Sequence, residues 1–270
     1  LGVLIGNTKI PEHLREKARF VLNKSLDICD QITSPRAVSF IIIGLALSGV
    51  KEVDRIRKYA DHLISLYNDS SSEEWQWFES SLSYSNSKIS EALFYAYYVT
   101  NNSKYLEIAE KTLEFLCSVT FENKMFSPIG QNGWYIKNGH KAYYDQQPVD
   151  AASMIQTLIL AYKLTKKDDY LKNSVIAFQW FIGNNSLNQV VYDEFTGGCH
   201  DGVGEFSVNL NKGAESTVSY LIGRLTIEEE NDRQLQMLGE KTIKNVPSST
   251  MSLSFNIKEA LISSSFALKK

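Results

Sequence analysis

Two kinds of helical segment alternate along this chain, and their alternation limits the fold more than any other feature. Four segments carry apolar residues on one face and charged residues on the other, with the 3.6-residue period of a helix that has one wet side: residues 11–26, 53–67, 103–119 and 168–183. Four others are apolar nearly all round, so they must be covered on every side: residues 37–47, 89–100, 148–164 and 213–225. The alternation predicts an all-α fold of inner and outer helices, either an (α/α) toroid or a curved α-solenoid.

Two further segments, residues 232–245 and 253–268, also have helical patterns and bring the number of predicted helices to ten. A full toroid of this type has twelve, so a closed and an incomplete toroid both remain open. We expect only short strands, within residues 133–139 and 189–195, because no run shows the regular spacing of hairpin strands. A length of 270 residues, 43% of them hydrophobic, predicts one domain over residues 1–270. Because an initiator Met is missing, we also expect a piece of a longer protein, such as its C-terminal domain.

Composition argues against several kinds of partner. A formal net charge of -3 leaves no basic surface of the size that nucleic acid or an anionic membrane requires. The longest apolar run, residues 40–50, is shorter than the roughly 20 residues that span a bilayer. The cysteines are three, far apart and without a C-x-x-C pair, which is typical of reduced thiols. We therefore predict a cytoplasmic protein without a membrane span.

Loop lengths are uneven in a regular way. Connections from an inner to the next outer helix are short and polar, whereas those from outer to inner are long and aromatic: residues 68–88, 120–147 and 184–212. Loops of this length in a folded domain are usually functional or disordered, and aromatic content argues against disorder. We expect the long loops to gather on one face, over the N-termini of the inner helices.

These loops contain the residue types that recognise sugars, because aromatic rings stack on C–H faces while carboxylates and amides hydrogen-bond to hydroxyls. The predicted substrate-binding residues are Trp75, Trp77, Tyr84, Trp134, His140, Tyr144, Gln146, Gln147, Asp150, His200, Asn209 and Asn211. A second interpretation stays open for the residues before Pro148. Acid and amide side chains at that position also cap the free N–H groups of a helix.

A family resemblance is visible in three stretches: "WQWFESSLSYSNSKISEAL" at 75–93, "YYDQQPVDAA" at 143–152 and "YDEFTGGCHDGVGEFSVNLNKGAEST" at 192–217. They resemble six-hairpin glycosidase-like proteins that accompany glycosyltransferases in microbial polysaccharide pathways. The resemblance implies an (α/α) toroid with a carbohydrate-facing cleft, and a glycosyltransferase domain or neighbour as partner. Two positions depart from that pattern: Asp145-Gln146 stands where such proteins often have Asp-Glu, and Asn211-Lys212 where they have Asn-Gln.

Glycoside hydrolysis generally needs two carboxyl groups, one protonated to assist the leaving group and one ionised to activate water or attack the sugar. The candidates are Glu79, Asp145, Asp201 and Glu215. We predict Asp145 as the general acid, because the rings of Tyr143 and Tyr144 would raise its pKa by desolvation. Glu215 or Glu79 is the expected partner. Glu215 also suits a capping box, and Asp201 a turn.

Other functions stay open beside a glycosidase-like enzyme. Gln146 favours a sugar-binding domain that does not cut its ligand. A sugar epimerase or isomerase is a further alternative, because His140 and His200 could transfer protons in such a reaction. A protein-binding α-solenoid ranks last, because the aromatic residues lie in the loops. We predict no cofactor and no metal, since Cys199 and His200 have no second Cys/His cluster at ligand spacing and no phosphate-binding motif occurs.

Overall fold

Helices make up most of the computed structural model, which describes residues 1–49 and 51–242. They are α1 (Gly2–Gly6), α2 (Glu12–Cys29), α3 (Pro35–Ser48), α4 (Val53–Ser70), α5 (Ser87–Thr100), α6 (Ser103–Thr120), α7 (Pro148–Thr165), α8 (Asp168–Gln179) and α9 (Ala214–Thr242). Nine helices and a few two-residue strands in this part of the chain confirm the predicted all-α class. The segment 253–268 lies outside the described residues.

The inner and outer helices differ in burial as the pattern predicts. Helix α7 buries 11 of its 18 residues, on all sides, whereas α4 buries six that recur at helical spacing along one face, from Ile56 to Tyr67. Pro35 and Pro148 open α3 and α7, where a missing N–H costs nothing. Left-handed residues end three of these helices: Gly49 after α3, Asn101 after α5 and Lys166 after α7.

The chain forms two compact units. The first comprises Leu1–Leu82, Asn86–Ser118 and Ile136–Asn138, and in it α3 packs against α1, α4 and α5. The second comprises Ser83–Ser85, Val119–Tyr135 and the described part of Gly139–Lys270. In the second unit α7 packs against both α8 and α9. In each unit, therefore, consecutive apolar helices are direct neighbours, which is the arrangement of an inner layer.

Two helices differ from the sequence-based expectation. The segments 213–225 and 232–245 were expected as separate helices, but α9 continues through the six residues between them, because "TIEEEN" contains no Gly or Pro to stop it. Helix α1 was not predicted, being only five residues long with glycine at both ends. A Cβ on Gly2 would lie 2.0 Å from the backbone oxygen of Gly44, so α1 can pack this closely on α3 only with glycine there.

The long loops carry all the strands of the described chain. These are β1 (Ser81–Leu82), β2 (Phe121–Glu122), β3 (Met125–Phe126), β4 (Tyr135–Ile136), β5 (Tyr192–Asp193), β6 (Gly198–Cys199), β7 (Gly202–Val203) and β8 (Val208–Asn209). In the second unit β2–β3, β5–β6 and β7–β8 are antiparallel pairs. Strands β4 and β5 lie where short strands were predicted, which confirms both.

Candidate functional site

A cavity of about 1110 Å³ opens on the second unit, where α7 and α9 begin. Its walls come from residues 131–132, from 145–148 at the start of α7, and from parts of 201–216, which include β7–β8 and the start of α9. Two of the three long loops thus meet over the N-termini of two inner helices, as the sequence predicts. Polar residues predominate on these walls, with one aromatic side chain, Phe206.

Backbone hydrogen bonds hold the cavity wall together at Gln146. Its N–H donates to the Val203 oxygen over 2.9 Å, and the Val203 N–H donates back to the Gln146 oxygen over 3.0 Å. Gly202 permits this pairing, because a Cβ there would lie 2.4 Å from the Gln146 oxygen. The β7–β8 hairpin is therefore fixed to the residues that lead into α7.

The Gln146 side chain is 1% exposed, and protein groups occupy both ends of its amide. Trp180 Nε1 donates to Gln146 Oε1 over 2.7 Å, while Nε2 donates to the Tyr143 oxygen over 2.9 Å and to Ser127 Oγ over 3.3 Å. This placement corrects the expected role. The amide that was predicted to contact substrate instead ties the cavity wall to the loop 121–147 and to Trp180.

Asp145 lines the cavity with an exposed side chain, and no described residue donates a hydrogen bond to its carboxylate. Its φ of 56° is in the left-handed region, which Asp and Asn tolerate better than most residues. The Gln131 N–H donates a hydrogen bond to the Asp145 backbone oxygen over 3.1 Å, which stabilises this conformation. Tyr143 and Tyr144 are 47% and 36% exposed, so the burial expected around the Asp145 carboxylate is not found.

Asp201 organises the start of α9. Its Oδ1 accepts hydrogen bonds from the Gly213 N–H at 2.7 Å and from Ser216 Oγ at 2.6 Å, and its Oδ2 accepts one from Asn211 Nδ2. The Ser216 hydroxyl, the Gly213 N–H and the Asn211 amide, helped by nearby His200, lower the pKa of Asp201 below its usual value. These bonds favour the ionised form of Asp201, which satisfies the Gly213 N–H directly before α9, much as a cap would.

Two further carboxylates line the cavity. Glu215 is the second residue of α9 and Glu205 lies in the turn of the β7–β8 hairpin, and both are exposed. No described residue donates a hydrogen bond to either. Glu205 and its neighbour Phe206, which is 84% exposed, were not predicted. The two glycines within "GVGEF" signal a turn, and an aromatic residue at a polar turn is the cue that points to Glu205 and Phe206.

The other predicted binding residues of the second unit are placed unevenly. Gln147 and Asn209 line the cavity, and Gln147 makes no capping hydrogen bond to α7. Tyr84 and Trp134 form a tilted ring pair with centroids 6.3 Å apart. Four more do not line the cavity: Tyr144, His140, Asp150 and Asn211. His140 is exposed, and Asn211 donates a hydrogen bond to Asp201. Asp150 is buried and accepts a hydrogen bond from the Ser85 N–H over 2.6 Å. His200, also outside the lining, places Nδ1 3.2 Å from the Leu210 oxygen.

Three predicted residues belong to the first unit and have packing roles there. Trp75 is 3% exposed and Trp77 is 0% exposed, so their ring faces meet protein rather than a ligand. Trp75 also packs edge-on against Phe115, with ring centroids 5.2 Å apart. Glu79 forms an ion pair with Arg36 at 3.1 Å. Burial corrects the expectation that the two Trp rings stack on a sugar, whereas the catalytic role expected of Glu79 stays a prediction.

Neither a family profile nor a curated protein sequence matches the chain. Among solved structures, it is similar to a D-mannose isomerase, with a TM-score of 0.48 and 20% sequence identity. The match covers 80% of this chain and 62% of that chain, so the chain spans less than two thirds of the isomerase.

Within residues 1–49 and 51–242, no helix is both long and apolar enough to cross a membrane. In the same part of the chain, no group of three or more His, Cys, Asp or Glu residues is placed to hold a metal ion.

Proposed function

We propose that the protein binds an oligosaccharide in the cavity of the second unit and hydrolyses it as a glycosidase-like enzyme. One observation carries the proposal: Asp145 and Glu215 both line this cavity, and no described residue donates a hydrogen bond to either carboxylate. The side-chain amides of Gln131, Asn132 and Gln147 line the same space. Free carboxylates beside amides suit a ligand that is rich in hydroxyl groups.

Cavity size fits a ligand longer than one sugar ring. Pockets for drug-sized ligands span roughly 300–1,000 Å³, and this one has about 1110 Å³. It is also open enough to leave Asp145, Glu205 and Glu215 exposed. A chain lying across the cavity would therefore meet the carboxylates at the starts of both α7 and α9.

The reaction divides between two carboxyl groups. Asp145, as general acid, protonates the glycosidic oxygen of the leaving sugar, and Glu215, as general base, takes a proton from the water that attacks the anomeric carbon. Glu215 is the second residue of α9 and so lies at the positive end of that helix's dipole. Asp201 is less suited to act as an acid, because its hydrogen bonds lower its pKa. We assign it to positioning the start of α9.

A second candidate is a sugar-binding domain that does not cut its ligand. The buried Gln146 amide favours it, because the glycosidase-like proteins that this sequence resembles often have Glu there. In that case the protein serves a glycosyltransferase, a partner that remains a prediction from the resemblance. The isomerase alternative ranks lower, because neither His140 nor His200 is among the described residues that line the cavity.

The test is product detection by mass spectrometry after incubation with a mixed oligosaccharide library, with thermal shift measured on the same samples. Wild type is compared with Asp145→Asn, which removes the acid and keeps a residue that tolerates φ of 56°. Glu194→Gln is the matched control, because Glu194 is exposed in the same unit and does not line the cavity.

Hydrolysis requires cleavage by wild type and Glu194→Gln that falls by at least about 100-fold in Asp145→Asn, as loss of a general acid does. A thermal shift without any product in all three proteins favours the binding domain. If no library member causes a thermal shift or yields a product, carbohydrate binding in this cavity is refuted.

A further inference from the structure

The charges on the cavity wall narrow the ligand class. Four carboxylates line it, those of Asp145, Asp201, Glu205 and Glu215, and none of the described lining residues is Lys, Arg or His. The N-termini of α7 and α9 oppose this charge with about half a unit of positive charge each. With Asp145 protonated as the proposed general acid, the three remaining carboxylates still leave a balance of about two negative charges. A phosphorylated or uronic acid ligand would meet repulsion here, whereas a cation would be attracted.

The hairpin turn adds an aromatic surface at the same place. Phe206 is 84% exposed although it lines a polar cavity, and the Gly204 N–H bonds to the Ser207 oxygen over 3.0 Å across the turn. Packing does not explain an aromatic ring that is left this exposed, but the C–H face of a sugar would cover it. Glu205, next to it in the turn, offers a carboxylate to which no described residue donates a hydrogen bond.

Resting on the proposed function, we infer that the ligand is an oligosaccharide of amino sugars with free, protonated amino groups. Its ring stacks on Phe206, and its ammonium group is bound by the Glu205 carboxylate beside that ring. An ammonium group donates three hydrogen bonds and accepts none. It is thus the sugar substituent that best matches carboxylates without protein donors, whereas a hydroxyl group leaves their charge unbalanced.

The experiment measures binding by calorimetry, near pH 6 so that the amine carries its proton. The ligands are matched tetrasaccharides of one linkage in the gluco, galacto and manno series, each prepared with a free amine, an N-acetyl group or a hydroxyl at the same carbon. A uronic acid tetrasaccharide and spermidine complete the set. We expect the free amine to bind at least about tenfold more tightly than its hydroxyl and N-acetyl forms in at least one series, which equals about 1.4 kcal/mol.

Two variants test the assigned residues against matched controls. Glu205→Gln should reduce the preference for the amine by about five- to tenfold and leave binding of the hydroxyl form within about twofold. Phe206→Ala should weaken all sugar forms alike, by about two- to tenfold. Glu194→Gln and Phe195→Ala make the same changes at exposed positions outside the cavity lining and should change nothing. Thermal denaturation of each variant verifies that it is folded.

Several results would overturn the inference. Equal or tighter binding of the hydroxyl or N-acetyl forms rejects the amino sugar but leaves the proposed carbohydrate function standing. Preference for the uronic acid rejects the electrostatic argument. Spermidine binding as tightly as the tetrasaccharides would indicate a site for polycations instead of a sugar. Binding of none of the sugars overturns both the inference and the proposed function.

Discussion

Two long loops of this protein look alike in sequence and differ in structure. Residues 71–86 in the first loop and residues 180–213 in the last one both combine aromatic residues with acids and amides. In the first loop Trp75, Trp77 and Phe78 are at most 3% exposed, and Tyr84 alone of the rings named here is exposed, at 49%. The last loop begins with the buried rings of Trp180 and Phe181, but further along it Phe195 and Phe206 are 92% and 84% exposed. The same composition thus makes part of a core in one unit and a cavity wall in the other.

The difference teaches that aromatic and acidic content does not by itself mark a ligand site. In the first loop Trp77 and Phe78 pack edge to face with ring centroids 5.2 Å apart, and Trp75 Nε1 donates to the Glu79 oxygen over 2.7 Å. In the last loop the β7–β8 turn carries Phe206 out beside a polar cavity. Only rings and carboxylates that the fold leaves unsatisfied are available for a ligand.

The largest expected effect is on the free energy of unfolding, when a ring is removed from each of the two loops. Trp77→Ala removes a fully buried ring from the first unit and should lower the free energy of unfolding by about 3–5 kcal/mol. Phe206→Ala should change it by less than about 0.5 kcal/mol, because that ring is already in water. Urea denaturation of both variants measures the difference. Losses of similar size would break the comparison.

A smaller effect tests whether Gln146 belongs to the cavity wall or to the ligand. Gln146→Leu leaves Trp180 Nε1 and the Tyr143 oxygen without the amide they bond to, and should cost about 1–3 kcal/mol of unfolding free energy. Gln147→Leu is the matched control, since that amide makes no capping bond, and should cost less than about 0.5 kcal/mol. If both variants were equally stable, Gln146 would lose its structural assignment.

The smallest effect concerns Asp201 and depends on pH. Because hydrogen bonds lower its folded-state pKa, its stabilising contribution is present above the unfolded-state value of about 3.9 and is lost as the pH falls through the folded-state value. Asp201→Asn keeps an acceptor oxygen but removes the charge that these hydrogen bonds stabilise, so it should cost about 1 kcal/mol near neutral pH and progressively less toward acid.

Thermal denaturation across the acid range measures this effect, with Asp145→Asn as the matched change on a carboxylate that accepts no hydrogen bond from the described residues. A stability difference between wild type and Asp201→Asn that grew toward acid would contradict the assigned role of Asp201.

The sequence by itself determined the class of fold, the places where inner helices begin and which loops are long. The 3.6-residue period and prolines such as Pro35 and Pro148 are properties of neighbouring residues, so they can be read without the fold. Local signals also led to Asp145 and Glu215, which lie beside the starts of inner helices, and Asp201 was a candidate because it lies in one of the resembling stretches.

Tertiary structure decided which polar groups are occupied and which are left for a ligand. The Gln146 amide oxygen accepts a hydrogen bond from Trp180, 34 residues further along the chain, and Asp201 accepts hydrogen bonds from Gly213 and Ser216. The rings of Trp75 and Trp77 are covered in a core, while Glu205 and Phe206 remain exposed on a turn. Hydrogen-bond partners and burial depend on residues distant in sequence. Local periodicity therefore cannot predict which side chains are buried or hydrogen-bonded.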